Sequence, residues 1–282
     1  MRLLAVLLAV LLPVALLAGC TPGSGPEDPV PGGVSISVYQ PRPDVAKNRI
    51  AITVHNDGAQ SITLTEATLA SSYFTESAIW DGKATVPAGY AVDLRIDIPP
   101  TDCSGRVPEH RVSFLWQAGD ESGRSSTEPE DPFGVLELLH DAGCLVEQVD
   151  AVAALTAASL TAPPSYPAPA DLLITVQPTG AAGSIVLDRI HSTTLLNPAG
   201  PDGAGVAELA LGVELDADGP LEVHVPIVPN RCDAHALAED KVGTRMPLYV
   251  TTSAGGSGRY VLSASDELRA QMYAFYSAYC GL

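Results

Sequence analysis

One stretch of the sequence carries more polar functional groups than a plain connection between strands requires. Residues 231–241 include Asp233, His235, Glu239 and Asp240. Carboxylates and imidazoles bind divalent cations, and His235 and Glu239 are spaced to share one face of a helical turn. The segment therefore predicts either a weak metal or ligand site, or a structural crossover in which Asp233 caps a short helix. We favour the crossover.

The rest of the chain contains no recognised catalytic motif. The sequence Gly255-Gly256-Ser257-Gly258 misses the spacing of a nucleophile elbow, and there is neither a zinc-protease motif nor a phosphate-binding glycine loop. Asp216-x-Asp218-Gly219 lacks the distal ligands of a calcium loop, so it predicts a turn. We therefore expect no enzymatic activity and no cofactor, although an active site scattered along the chain would leave no such signal.

The N-terminus resembles the signal sequence of a bacterial lipoprotein. Leu3 to Leu17 form an apolar run that is too short to span a membrane and is typical of a signal peptide. The run ends in Leu17-Ala18-Gly19-Cys20, which resembles a lipobox. The resemblance implies cleavage after residue 19 and lipidation of Cys20. Because two acyl chains anchor a protein stably, we expect the chain to be held on the outer face of the cytoplasmic membrane.

Two further segments follow the signal peptide. Residues 20–33 contain the lipidated cysteine and a run rich in proline and glycine, which predicts a tether. Residues 34–282 contain an internal repeat whose order is kept while its offset grows, as insertions in surface loops would produce. The copies predict two domains, residues 34–147 and 148–282. The matching segments are Ile52-Thr53-Val54 with Ile174-Thr175-Val176, Ser61–Leu64 with Ser184–Leu187, Ile96–Cys103 with Val225–Cys232, and Cys144 with Cys280.

Apolar residues alternate with polar ones in both copies, which is the period of β-strands. Leu94 and Ile96 alternate with charged residues, and Val223 and Val225 flank His224, which should point outward. Asn56-Asp57-Gly58 follows one such strand and is typical of a hairpin. Short strands separated by turn residues predict an all-β chain of two tandem immunoglobulin-like antiparallel β-sandwiches.

A short helix is expected at the end of each copy, before its last cysteine. In the first copy, Asp131 is a candidate cap, Pro132 the first helical residue and Gly143 the end of the helix. In the second copy, Ser265 is the candidate cap and a core-facing stripe follows. The stripe consists of Leu268, Met272, Phe275 and Tyr279.

Four cysteines besides Cys20 allow three disulfide pairings. The repeat selects Cys103 with Cys144 and Cys232 with Cys280, so that each bond ties the terminal helix to its own copy. Disulfides persist in an exported protein, and loops of this length stabilise by about 3–4 kcal/mol in the chain-entropy model. The rival interpretation, a four-thiolate metal site, lacks the close cysteine pairs that such sites use.

The segment Arg-Cys-Asp-Ala-His-Ala-Leu-Ala-Glu-Asp-Lys at residues 231–241 resembles a motif of actinobacterial exported proteins and lipoproteins. The resemblance implies an exported sandwich domain and assigns no catalytic residue. With a net charge of −18, the chain would repel a nucleic-acid backbone. We therefore expect a non-catalytic, lipid-anchored surface protein whose membrane contact is the acyl chain on Cys20 and whose domains bind a protein or a cell-envelope component. The alternatives are a solute- or metal-binding lipoprotein and a secreted hydrolase.

Overall fold

A computed structural model describes residues 27–105, 107–215, 219–238, 240 and 242–282. The strands in this part of the chain form four sheets, whose ladders are all antiparallel. The buried apolar side chains form two separate cores. One is built from residues between Ile36 and Leu136 and the other from residues between Leu145 and Tyr276. The chain is therefore all-β, with two sandwich domains in tandem.

In its described residues, the first domain contains eight strands and a one-turn helix between the first two. The elements are β1 (Val34–Tyr39), α1 (Arg42–Val45), β2 (Arg49–Asn56), β3 (Ile62–Ser71), β4 (Ala78–Trp80), β5 (Ala84–Val86), β6 (Tyr90–Asp97), β7 (His110–Ala118) and β8 (Glu121–Thr127). One sheet has the order β1-β2-β6, and the facing sheet has the order β4-β3-β7-β8, with β5 also pairing with β3.

The second domain repeats this arrangement after a connecting helix. Its elements are α2 (Val135–Val152), β9 (Ala153–Thr161), β10 (Ala170–Pro178), β11 (Ile185–His191), β12 (Leu196–Pro198), β13 (Glu208–Leu215), β14 (Leu221–Pro229), α3 (Ala234–Ala238), β15 (Arg245–Thr252), β16 (Ser257–Ser263) and α4 (Asp266–Cys280). The sheet orders are β12-β14-β10-β9 and β13-β11-β15-β16.

These sheet orders are those of immunoglobulin-like sandwiches. The predicted fold class is confirmed, and the matching segments of the sequence repeat fall on corresponding strands, β2 with β10, β3 with β11 and β6 with β14. The alternation also holds in detail, because Val223, Val225 and Ile227 are buried whereas His224 points outward. Asn56-Asp57-Gly58, however, is not a hairpin: it links β2 to β3 in the facing sheet.

The helix of the first copy is longer than predicted and begins later. Gly134, with a left-handed φ of 60°, is the N-cap of α2, and Pro132 precedes the helix. Asp131 still caps it from outside, since its carboxylate accepts hydrogen bonds from the amides of Val135 and Leu136 at 2.8 and 2.9 Å. This arrangement satisfies two of the amides that have no partner within the helix.

The prediction that Gly143 ends the helix is wrong. α2 continues past it to Val152 because Leu145 and Val149 are buried in the second core. Gly143 instead allows a close approach, since a Cβ added there would lie 2.0 Å from Oγ1 of Thr101. Residue 147, the predicted boundary between the domains, lies within this helix.

The terminal helix of the second copy follows its prediction more closely. The hydroxyl of Ser265 accepts a hydrogen bond from the amide of Leu268, and acidic residues occupy the first turn. Leu268, Met272 and Phe275 are buried, and Tyr279 packs at the edge of the core. The predicted stripe did not include Tyr276, which is fully buried.

The predicted tether ends earlier than residue 33. The amide of Asp28 donates to the carbonyl of Arg124 on β8 at 2.7 Å, and the amide of Arg124 donates back to the Asp28 carboxylate at 3.1 Å. The hydroxyl of Ser125 donates to the carbonyl of Pro29 at 2.9 Å. Residues 27–31 are therefore part of the first domain. Cys20 and the start of the tether lie outside the described residues. Within the described ranges, no helix is both long and apolar enough to cross a membrane.

Candidate functional site

The segment predicted to hold either a cation site or a crossover forms the short helix α3 between β14 and β15. The Asp233 carboxylate accepts a hydrogen bond from the amide of His235 at 2.9 Å, so Asp233 occupies the capping position that the crossover interpretation predicts. The His235 side chain is exposed. Glu239 lies outside the described residues.

Asp240 has a structural role in this segment. One carboxylate oxygen accepts a hydrogen bond from the amide of Gly243 at 2.6 Å, and the other accepts from the hydroxyl of Tyr273 at 2.9 Å. Burial, followed by this hydrogen bond, raises the pKa of Tyr273, which keeps the phenol protonated as a donor. Among the described residues, no three histidine, cysteine, aspartate or glutamate side chains are grouped so that they could hold a metal ion.

Tyr276 fixes the entrance to α3 and was not anticipated from the sequence. Its hydroxyl accepts a hydrogen bond from the Asp233 amide at 3.1 Å and lies against the carbonyl of Arg231, to which it donates. A sequence signal existed, because Tyr276 follows Leu268 by eight residues and so lies on the buried face of α4.

The disulfides have the pairing that the repeat predicts. Cys103 is bonded to Cys144 and Cys232 to Cys280, with Cα separations of 5.6 and 5.3 Å. The first bond ties α2 to the loop after β6, and the second ties α4 to the loop after β14. Each terminal helix is thereby held to its own sandwich.

Aromatic and histidine side chains pack beside the first disulfide. The rings of Tyr73 and His140 stack with centroids 4.2 Å apart, and His110 lies 4.9 Å from Tyr73 on the other side. Burial lowers the pKa of His110 and favours its neutral form, and its Nδ1 lies 2.9 Å from the hydroxyl of Ser71. This cluster packs the segment after β3, which contains Tyr73, against α2 and the start of β7.

A different constellation lies on the outer face of the sheet β13-β11-β15-β16. Arg189 on β11 pairs with Tyr249 on β15, and Tyr249 pairs with Arg259 on β16, so the three residues form a row across the sheet. The guanidinium carbon of Arg189 lies 4.4 Å from the centre of the Tyr249 ring. We call Arg189, Tyr249 and Arg259 the Arg–Tyr row. A cation over an aromatic face is a stabilising contact that also fixes the plane of the guanidinium.

Two neighbours hold Arg189 in place. Its Nε lies 3.4 Å from a carboxylate oxygen of Glu208 and donates to Nε2 of His191 at 3.2 Å. The same Glu208 oxygen lies 3.0 Å from His191 Nε2, and the His191 ring packs against Tyr249 at 4.4 Å. Arg189 is thus held at Nε, and in the described part of the chain its two terminal nitrogens have no hydrogen-bond partner.

A β-bulge places Arg189 on the outer face. Leu187 and Ile190 are both buried, although strict alternation would bury Leu187 together with Arg189. The register between β11 and β15 shifts between Leu187 and Arg189, so the extra residue, Asp188, turns Arg189 outward. Sequence reasoning missed this row because it assumed unbroken alternation. The broken pattern Leu-Asp-Arg-Ile was the available signal.

The first domain has the same bulge but a different row. There the register shifts between Leu64 and Glu66, and Glu66 pairs across β7 with Leu115 and then Arg124. Glu66 and Arg124 form an ion pair at 3.1 Å within the row. The two charges within the first-domain row therefore neutralise each other, whereas the Arg–Tyr row contains two cations and an aromatic ring. The row is a specific feature of the second domain and not of the repeated fold.

No family model matches the sequence, and no curated protein does. Among solved structures, the chain is similar to a transglutaminase of red sea bream, with a TM-score of 0.24 and 10% identity over 83% of this chain and 31% of that one. It is also similar to the YadV chaperone, with a TM-score of 0.22 and 11% identity over 82% of this chain and 100% of that one. The BSP domain of a biofilm associated protein gives a TM-score of 0.21 and 11% identity over 82% of this chain and 56% of that one. These TM-scores are too low to support an argument about function.

Proposed function

We propose that this chain is a non-catalytic, lipid-anchored protein of the outer face of the cytoplasmic membrane whose tandem immunoglobulin-like domains bind a protein partner. The lipobox-like sequence at residues 17–20 supports the anchor. The alternation of strands and the two sandwiches support a binding module, because sandwiches present flat sheet faces and loops to partners.

The observation that carries the proposal is the way in which the domains are joined. α2 contributes Val135 and Leu136 to the first core and Leu145 and Val149 to the second. Eighteen residues of helix span roughly 27 Å, so there is no mobile linker between the two cores. A shared helix holds the second domain at a fixed distance from the first, as presentation to a partner requires.

Contacts on both sides of α2 support this rigidity. On the first-domain side, the Cys103–Cys144 bond and the close approach of Gly143 to Thr101 fix the helix. On the second-domain side, the Gln148 side chain accepts from the hydroxyl of Thr252 at 2.7 Å, and Asp150 accepts from the hydroxyl of Tyr260 at 2.9 Å. These contacts give the helix a defined position in each domain.

Site-specific photo-cross-linking in intact cells tests the proposal. A photoreactive residue is placed at one position on each of the four sheets. The positions are Asp97, Ser113, Glu222 and Ser257. A discrete cross-linked protein of reproducible mass is expected from at least one position, with the other faces as internal controls. When Cys20 is replaced by Ala, the cross-linked product should be lost from the membrane fraction. No product, or the same ladder of products from all four positions, would refute a specific protein partner.

A further inference from the structure

The strongest feature that the proposed function leaves unused is the Arg–Tyr row. Arg189 is already oriented by the Tyr249 ring and by Glu208, so little side-chain entropy remains to be lost when it binds. Its terminal nitrogens, which have no partner among the described residues, form the two-pronged edge that matches a planar carboxylate. The row thus contains a preorganised donor for an oxyanion.

Arg259 adds a second cation on the far side of the ring. It is exposed, and in the described ranges of the chain it takes part in no ion pair. Tyrosine and arginine are also the residue types that dominate the energetic centres of protein interfaces.

Two acidic side chains on the same face already have partners, and a third lies on the far strand β13. Glu208 is paired with Arg189 and His191, and Asp188 accepts a hydrogen bond from the hydroxyl of Thr251 at 2.9 Å. Glu214 lies on β13, opposite Val186 of β11. β15 and β16 contain Arg245 and Arg259 and no acidic residue of their own, although the Asp188 carboxylate reaches β15 at Thr251. The excess positive charge therefore lies on these two strands, at the Arg259 side of the row. An acidic group would approach from that side.

We propose that the Arg–Tyr row binds an acidic side chain of a protein partner, with the carboxylate accepting two hydrogen bonds from Arg189 and a further contact from Arg259. This inference rests on the proposed function, since it names the chemistry by which the second domain would recognise its partner. The first domain provides the matched contrast, because Glu66 occupies a terminal nitrogen of Arg124 at 3.1 Å, whereas Glu208 contacts Arg189 at Nε.

A titration of the full-length protein in detergent tests the inference without the natural partner. The probe is the peptide Ac-Gly-Glu-Phe-Glu-Gly-NH2, and the control is the same peptide with Gln in place of Glu. NMR signals of the arginine Nε–H groups report on Arg189 and Arg259 directly. We expect saturable shifts of both signals with the Glu peptide, weaker binding at high salt, and no shifts with the Gln peptide.

Substitutions locate the site. Arg189→Ala should weaken binding about tenfold or more, which corresponds to the loss of a bidentate contact. Arg189→Lys should recover only part of it, because a lysine keeps the charge and loses the fork. Arg259→Ala should weaken binding without affecting folding, since this side chain is exposed. The first-domain variant Arg124→Ala is the control and should leave the affinity unchanged.

Three results would overturn the inference: no saturable shift with the Glu peptide, equal binding of the Gln peptide, or unchanged affinity in both Arg189→Ala and Arg259→Ala. Inorganic phosphate is titrated in parallel. If phosphate binds the same arginines more tightly than the peptide does, the row is a general anion site and the assignment to carboxylates is wrong. These titrations need no natural partner, so their outcome is independent of cross-linking in cells. Failure of the titrations alone refutes the Arg–Tyr row as the binding site, and failure of the cross-linking alone refutes the protein partner.

Discussion

Replacement of Gly143 by Ala should destabilise the first domain, although helix propensity predicts the opposite. Gly143 lies inside α2, where Ala is favoured over Gly by about 1 kcal/mol. The added Cβ, however, would lie 2.0 Å from Oγ1 and 2.9 Å from Cβ of Thr101. Rotation of the threonine relieves the first contact but not the second, so α2 must move away from the loop that holds Cys103.

The magnitude follows from these two opposing effects. Overpacking of this kind costs about 1–3 kcal/mol, and the propensity gain offsets about 1 kcal/mol of it. We therefore expect a net loss of up to about 2 kcal/mol. Both tryptophans of the chain, Trp80 and Trp116, belong to the first domain, so tryptophan fluorescence during urea unfolding reports on that domain.

A double-mutant cycle with Thr101→Gly identifies the cause. In that background the Cβ has no side chain to meet, so Gly143→Ala should become stabilising by about 1 kcal/mol. The reversal of sign is the decisive outcome. If Gly143→Ala already stabilises the wild-type protein, or if its effect is the same in both backgrounds, the close approach to Thr101 does not explain this glycine.

Four further predictions concern the lipid anchor, a helix cap, an ion pair and a buried hydroxyl. Cys20→Ala should release the protein from membranes or leave it uncleaved, and membrane fractionation that shows unchanged association would argue against the lipid anchor. Asp233→Ala should lower the free energy of unfolding by about 1 kcal/mol because the cap of α3 is lost, and urea unfolding measures this. Calorimetric titration with divalent cations should show no saturable site. A saturable signal that disappears in His235→Ala would contradict the crossover interpretation. The hydrogen bond from His224 to Asp171 raises the pKa of the imidazole, so this pair adds stability at acidic pH and loses it as the pH rises through the folded-state pKa. His224→Gln should therefore lower the urea midpoint more at about pH 5.5 than at about pH 8.5, and an equal effect at both values would exclude the charged pair. Tyr276→Phe should lower the free energy of unfolding by about 1–2 kcal/mol. Tyr279→Phe should lower it less, because the Tyr279 hydroxyl has no hydrogen-bond partner in the described part of the chain. Equal losses in the two variants would mean that the hydrogen bonds of the Tyr276 hydroxyl are not stabilising.

The sandwiches were predictable because strand alternation has a period of two that is visible in the sequence. Val223, Val225 and Ile227 must share one face, and the repeat then assigns corresponding strands to both copies. The prediction failed at Asn56-Asp57-Gly58, where the local pattern of a hairpin is used to cross between sheets. There the buried Asn56 side chain accepts from the amide of Gly58 and donates to the carbonyls of Gln60 and Val86. The contact with Val86, thirty residues later, is not visible in the local sequence.

The extent of α2 could not be predicted because its determinants are distant in sequence. From the local sequence, a glycine near the end of a helical pattern predicts the end of the helix. Gly143 instead lies within the helix because the Thr101 side chain, forty-two residues earlier, leaves no room for a Cβ. The candidate site likewise contains one feature that the local sequence predicts and one that it does not. Asp233 as a cap is a local property and was predicted, but the outward position of Arg189 depends on a bulge in the pairing of β11 with β15.

The shared helix has a consequence for how the chain can be divided. A cut before Val135 removes two side chains from the first core, and a cut after Cys144 leaves the second core without the first turns of its helix. A cut between them also separates Cys103 from its partner. A cut within residues 135–144 therefore damages the first domain, and a cut after Cys144 leaves Leu145 and Val149 on a helix without its N-terminal turns. We expect each domain to be less stable alone than in the joined chain.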